Sequence, residues 1–227
     1  MSETTIPLTA PYQIDLLLLD GFNSLALHAF LDPFRVTNYL ANANLFQWRF
    51  LGETRGTVQS SVGMSIAVEA GNLNRRDHSD MLVINSGWGL ERSKQPLVTD
   101  IIRSYARDNR FLVGLDTGAF LMAFAAVLQR GSASVHYEHI AAFRELFPDI
   151  EMTEALYTLS KNRASCCGGL AAADLALTLL QTQSNAKLSN AAARYIFQQR
   201  VRPPHEGQLP LQGEPLGYQA PEPLRLA

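Results

Sequence analysis

Charge is scarce in this chain. Charged residues make up 18% of its 227 positions, against about 25% in an average soluble protein. The signs nearly balance, with 19 Lys and Arg against 21 Asp and Glu, for a net charge of −2. A domain that grips nucleic acid unaided carries a basic excess, so the balance argues against DNA or RNA binding by these residues alone. So thin a charged coat also leads us to expect that part of the surface is buried against a second copy. Cysteine is scarcer still. The two present, Cys166 and Cys167, are adjacent and poorly placed to bridge each other, which excludes a disulfide-stapled secreted fold and fits a reducing cytoplasm. Long hydrophobic runs are missing. The longest, residues 119–128, is ten residues, about half a membrane span. Residues 1–11 are polar, without the basic start or apolar segment of a signal peptide. A cytoplasmic protein with no membrane partner is expected.

Apolar residues are present at an ordinary 47%, enough for a sizeable core. The pattern places one domain over residues 12–201, after a polar leader at 1–11. Residues 13–20 form a short apolar run closed by Gly21, as do 81–84 and 111–115; such runs mark strands buried on both faces. Further strands are expected at 46–51, 65–69 and 133–136, with a strand pair at 157–159 and 163–166. Helical spacing appears at 25–40, broken or kinked by Pro33, and at 97–105, where Leu97, Val98, Ile101, Ile102 and Tyr105 share a face. More helices are expected at 119–128, 138–147, 170–182 and 186–201. Strands alternating with helices predict an α/β fold, a mostly parallel sheet sandwiched by helices. From Arg202 the character changes. Pro203, Pro204, Pro210, Pro215, Pro221 and Pro223 crowd the tail, which reads as a linker or an extended arm over 202–227.

The most informative stretch is Gly114-Leu-Asp116-Thr-Gly118, between a buried strand and an apolar helix. Glycine on both sides of a central residue suits the sharp elbow that lifts a side chain over the sheet edge. Working elbows carry Ser or Cys at the centre; here it is Asp116. Three readings stay open: Asp116 or Thr117 as the helix N-cap, Asp116 as a carboxylate nucleophile, or Asp116 in a pocket at the C-terminal strand ends, holding a cationic ligand. Trp88, within Asn85-Ser-Gly87-Trp-Gly89, offers an indole face for a cation or a cover for the core. His136 at a strand end suits a pocket wall or a structural role. With His139 it has metal-ligand spacing, but no ligand cluster supports a metal, and neither metal nor cofactor is expected. Cys166 and Cys167 precede a helix start, where a thiolate is stabilised, yet they also suit small buried apolar positions.

With these pieces in place, the sequence resembles the ThiJ/PfpI-like ligand domain of AraC/XylS-type transcriptional regulators, the GlxA group. That domain has the class I glutamine-amidotransferase-like fold. The likeness runs from about residue 13 to 202. It is carried by Leu-Asp-Gly-Phe at 19–22, Leu-Asp-Pro-Phe-Arg at 31–35, Gly-Leu-Asp-Thr-Gly-Ala-Phe at 114–120, His-Tyr-Glu-His at 136–139, Ala-Phe-Arg-Glu-Leu-Phe-Pro-Asp at 142–149, Cys-Cys-Gly-Gly-Leu-Ala-Ala-Ala-Asp-Leu at 166–175 and Gln-Gln-Arg-Val-Arg-Pro at 198–203. Each is short, and their order and spacing together are specific. Enzymes of the wider superfamily carry an elbow cysteine, here Asp116, and an acidic partner, which here falls on Ala26. The histidine position is kept as His136. With nucleophile and acid replaced, thiolate catalysis has nothing to work with. The resemblance therefore implies a non-catalytic effector-binding and dimerisation domain, with a C-terminal helix-turn-helix domain beyond these residues to read DNA. It also implies a small nitrogenous effector of the amine, amino-acid or betaine class. Asp116, Thr117, Trp88, Gly87, His136 and Phe22 are the expected ligand-binding residues. The alternative is a stand-alone ThiJ/PfpI-like hydrolase or hydratase.

Overall fold

Eight strands form one twisted sheet in a computed structural model that describes residues 11–71, 79–88, 96–128, 131–183 and 186–208. The leader up to residue 10 and the stretch 209–227 lie outside the described residues. The strands are β1 (Tyr12–Leu18), β2 (Phe46–Gly52), β3 (Gly56–Gln59), β4 (Ser65–Ala70), β5 (Met81–Asn85), β6 (Phe111–Leu115), β9 (Tyr157–Leu159) and β10 (Arg163–Cys166), with β7 (Ser132–Ala133) and β8 (Glu151–Met152) as a separate pair. Their order is β3-β4-β2-β1-β5-β6-β10-β9. The six central strands are parallel, and β3 and β9 close the two edges antiparallel. The mostly parallel α/β sandwich expected from the sequence is therefore the observed fold.

Helices cover both faces because the central strands are apolar on both. On one side α1 (Ser24–Ala41), α5 (Ala171–Gln183) and α6 (Ala186–Tyr195) bury Phe30, Phe34 and an alanine-rich face against Leu16, Val83 and Val113. On the other, α2 (Pro96–Arg107), α3 (Gly118–Phe124) and α4 (Ile140–Leu146) pack Ile102, Phe120 and Phe143 onto Leu17, Leu82 and Leu112. Fully burying one such side chain contributes about 1.5–3 kcal/mol.

Several boundaries differ from the sequence reading. Helix α1 runs without interruption through Pro33. A proline removes one backbone donor, but the flanking Phe30 and Phe34 are wholly buried, and their packing outweighs that loss. Helix α3 stops at Phe124, short of residue 128. Ala126 turns left-handed (φ 58°), Val127 N donates to Met122 O at 3.0 Å, and Arg103 of α2 donates to the carbonyls of Phe124 and Ala125. That is a Schellman-type stop, with a side chain capping the exposed carbonyls. Helix α6 ends in the same way, six residues before residue 201, where Phe197 takes φ 59° and Gln198 N donates to Ala193 O. The helix expected at 138–147 begins as a 3₁₀ turn at Tyr137–His139 before α4, and the strand expected at 133–136 is only Ser132–Ala133. Strands β3 and β8 had no clear apolar alternation and were not expected.

Strand order reverses at β1: β2 lies on one side of it and β5 on the other. Ligands bind outside the C-terminal strand ends at such a switch point. There Leu18 pairs with Asn85, Asn85 with Leu115, and Leu115 with Cys166, so four strands end in one row. Asp116 is the next residue beyond that row.

Candidate functional site

Asp116 turns the chain from β6 into α3 with φ 58°. The left-handed region costs an ordinary residue roughly 1–2 kcal/mol, less for Asp and Asn, and marks an elbow under tension. Its two glycines are sterically required. A Cβ at Gly114 would lie 2.8 Å from Ala119 N, and one at Gly118 would run into the carbonyl oxygen of Ile84. The elbow is pinned to β10 by Asp116 N donating to Cys166 O at 3.0 Å.

The carboxyl is buried, with 8% of Asp116 exposed. Asn23 holds it, donating Nδ2–H to Oδ2 at 2.6 Å. The same side chain caps α1, its Oδ1 accepting from Ala26 N at 3.0 Å. Asn85 at the end of β5 in turn donates to Asn23 O at 3.0 Å. The ends of β1, β5 and β6 are thus knit through one asparagine. Burial pushes the Asp116 carboxyl above its ordinary range, opposed first by the Asn23 hydrogen bond and then by His136. From β10, Gly168 (φ 93°) closes over the elbow, where an added Cβ would meet Asp116 Cβ at 3.1 Å.

Over this floor lies a cavity of about 460 Å³. Asn23, His136, Cys167, Arg202, Glu206 and Gln208 line it together with the turn 168–171 at the start of α5. His136 Nδ1 sits 3.6 Å from a Glu138 carboxylate oxygen, and its ring lies 4.4 Å from that of Tyr137. Arg202 is fixed by the wholly buried Asp174, whose Oδ2 accepts from its guanidinium at 2.7 and 2.8 Å.

Of the residues expected from sequence, His136 lines the cavity, whereas Asp116 does not line it and instead touches two residues that do, Asn23 and Gly168. The others sit elsewhere. Phe22 is wholly buried and bridges to Ser60 and Gly87. Gly87 lies under Gly21, whose carbonyl oxygen would be 2.5 Å from a Cβ there. Thr117 is wholly buried, and its hydroxyl donates to Gly87 O at 3.1 Å. It makes no capping bond to α3, so the reading of Thr117 as a side-chain N-cap is corrected: its hydroxyl ties two strand ends together instead. Trp88 is 73% exposed and is not among the residues around this cavity. Ala26 is buried in the first turn of α1, and Asn23, three residues before it, makes the contact to the elbow. Cys166 is wholly buried, its thiol pushed well up by that burial. Cys167 faces the cavity, its thiol lowered chiefly by the hydrogen bond from Cys166. His139 packs edge-on to Phe120, and burial lowers its pKa. Among the described residues no cluster of His, Cys, Asp and Glu could hold a metal ion.

Sequence reasoning missed Asn23, Arg202 and Gln208. Asn23 carried a signal, an asparagine just ahead of a helical pattern; the other two sit in a tail with no periodicity to read.

No family model matches the chain. It is 31% identical over 192 residues to the HTH-type transcriptional regulator GbdR of Pseudomonas aeruginosa, an alignment covering 85% of this chain and 52% of that protein. The crystal structure of an AraC family transcriptional regulator from Pseudomonas putida superposes with a TM-score of 0.74 at 27% identity, covering 82% of this chain and 100% of that one. The chain is a relative of the AraC/GlxA-type transcriptional regulators. It spans about half the length of the curated relatives it matches. A ThiJ/PfpI family protein from Pseudomonas syringae superposes with a TM-score of 0.72 at 17% identity, over 89% of this chain and 84% of that one. That likeness shows the fold alone: the domain has the ThiJ/PfpI fold. Among the described residues, no helix of this domain is long and apolar enough to cross a membrane.

Proposed function

We propose that this chain is the non-catalytic effector-binding and dimerisation domain of a DNA-binding transcription regulator, and that it senses a small nitrogenous molecule. The observation that supports this most is the elbow. Where a thiolate enzyme needs an accessible nucleophile, a buried aspartate sits under a cavity of about 460 Å³, tied down by Asn23. A carboxyl whose pKa is raised by burial gains from a cationic group brought near it, because the pairing restores the charged form. An ammonium or guanidinium reaching toward Asp116, with Glu206 in the cavity lining, suits that floor. DNA contact belongs to a helix-turn-helix domain beyond this sequence, presented in pairs by a homodimer.

The reading is tested by thermal shift with choline, trimethylglycine and L-arginine as probes, alongside assays for amide, ester and aldehyde turnover. The expected result is a raised Tm with at least one cationic probe and no turnover. Turnover that is lost in Asp116→Asn would establish the hydrolase or hydratase instead.

A further inference from the structure

The cavity has one wall that does not belong to the sandwich. After α6 ends, residues 202–208 cross from α5 to the loop ahead of β9 and pass over the cavity. Both ends of this strap are fastened. At the first, Asp174 accepts from the Arg202 backbone N–H at 2.8 Å and from its guanidinium, while the Tyr157 hydroxyl donates to Arg202 O at 2.9 Å. At the second, Gln208 N donates to Glu154 O at 2.7 Å, and Leu156 N donates to Glu206 O at 2.9 Å. Gly207 bridges Ala155 like a short antiparallel strand. The Gln208 side chain then reaches inward. Its Nε2 donates to Val135 O at 2.8 Å and to Ala155 O at 3.0 Å. Val135 is the residue before His136, so one amide group joins the strap to the loop carrying the cavity's histidine.

The two fastenings differ in kind. Asp174 is wholly buried, and a charge-assisted pair there is the stronger anchor. The Gln208 end is held by neutral bonds, from Gln208 to the carbonyls of Glu154, Val135 and Ala155 and from Leu156 N to Glu206 O, each weaker than a charge-assisted one. The nearby Arg200–Glu206 ion pair at 2.9 Å lies within the same run of chain. Arg202, Glu206 and Gln208 line the same cavity as Asn23 and His136, so an occupant touches strap and sandwich together. We propose that residues 202–208 are a hinged strap, fixed at Arg202 and released at Gln208, that gates the cavity. A cavity occupant would hold it shut. Its free end leads directly into the remaining chain, so occupancy would be passed on as the position of that end. What is gated rests on the reading above; the gate itself does not.

Cys167 is a built-in reporter, since it faces the cavity while Cys166 is wholly buried. The full chain and its Gln208→Ala variant are treated with iodoacetamide, and modification is followed by mass spectrometry at each cysteine. Removing the Gln208 side-chain bonds should raise the Cys167 labelling rate about tenfold or more, on the scale of two or three lost hydrogen bonds, with Cys166 unlabelled. Hydrogen exchange at the Leu156 and Gln208 amides should quicken in parallel in the variant, since each donates across the strap. Equal Cys167 labelling in the two proteins overturns the gate, as does exchange of Leu156 only at the rate of the sheet amides in both. Simultaneous labelling of Cys166 would mean that the fold opens as a whole, and would likewise overturn it. No effector is present in these arms, so they stand or fall apart from the proposed function. A probe that raises Tm yet leaves wild-type Cys167 labelling unslowed would overturn the coupling.

Discussion

At Asp116 two costs coincide: a left-handed backbone in a residue with a Cβ, and a carboxyl in a site that leaves it 8% exposed. Both bear on the Asp116→Asn variant. Asparagine accepts the left-handed region at least as readily, and its side-chain oxygen can still accept from Asn23 Nδ2. The backbone and the Asn23 contact should therefore survive, while the charge is lost. The folded-state pKa of Asp116 lies above its ordinary value of 3.8. A group raised in this way favours folding while protonated, so its contribution is complete below the unfolded value and is lost as pH rises through the folded value. Wild-type Tm should consequently fall relative to Asp116→Asn on going from pH 4 toward neutrality. Melting curves of the pair over that range check this, and a constant difference would show that the carboxyl is not protonated preferentially in the fold. The elbow was legible in sequence because Gly114 and Gly118 bracket it. The partner of Asp116 was not, because Asn23 lies ninety-three positions away and only the strand order brings it near. Trp88, which its flanking glycines marked as a pocket face or a cover for the core, is 73% exposed and does not line this cavity.

Elements were read best where burial on both faces left only one pattern. Strands β5 and β6 are wholly or almost wholly buried, and their apolar runs gave their bounds nearly to the residue. Helix ends were read poorly, since α3 and α6 stop at left-handed residues, Ala126 and Phe197, that are not the usual glycine. Apolar periodicity carries on past both. The strap was hidden for a related reason: prolines and a lack of period read as a linker, whereas its first residues are fastened by the side chains of Asp174 and Gln208. At this scale Asp174→Ala should free the Arg202 end. Arg202 is partly exposed, so the stranded guanidinium finds water, and the cost should be about 1.5–3 kcal/mol, the range for hydrogen bonds to a charged group. Urea unfolding measures it, and a change below about 0.5 kcal/mol, the scale of an ordinary surface substitution, would show that Asp174 does not anchor the arm.

For the whole molecule, the fold class followed from alternation of strands and helices, and the place of the site followed from the topology. The β1–β5 switch point collects the ends of four strands, and the elbow, Asn23 and the cavity all lie there. What the sequence could not supply was the depth of Asp116, which depends on Gly168 closing over it from β10. Under the function proposed above, that depth suits the aspartate to pairing with a cationic ligand more than to attack on a substrate. The most direct test is a calorimetric titration of a cationic probe that raises Tm into wild type and Asp116→Asn at several pH values. Affinity for wild type should rise with pH as Asp116 loses its proton. The variant should bind roughly 1.5–3 kcal/mol more weakly, without that pH dependence. Equal affinity in both proteins at every pH would remove Asp116 from the site and contradict the account.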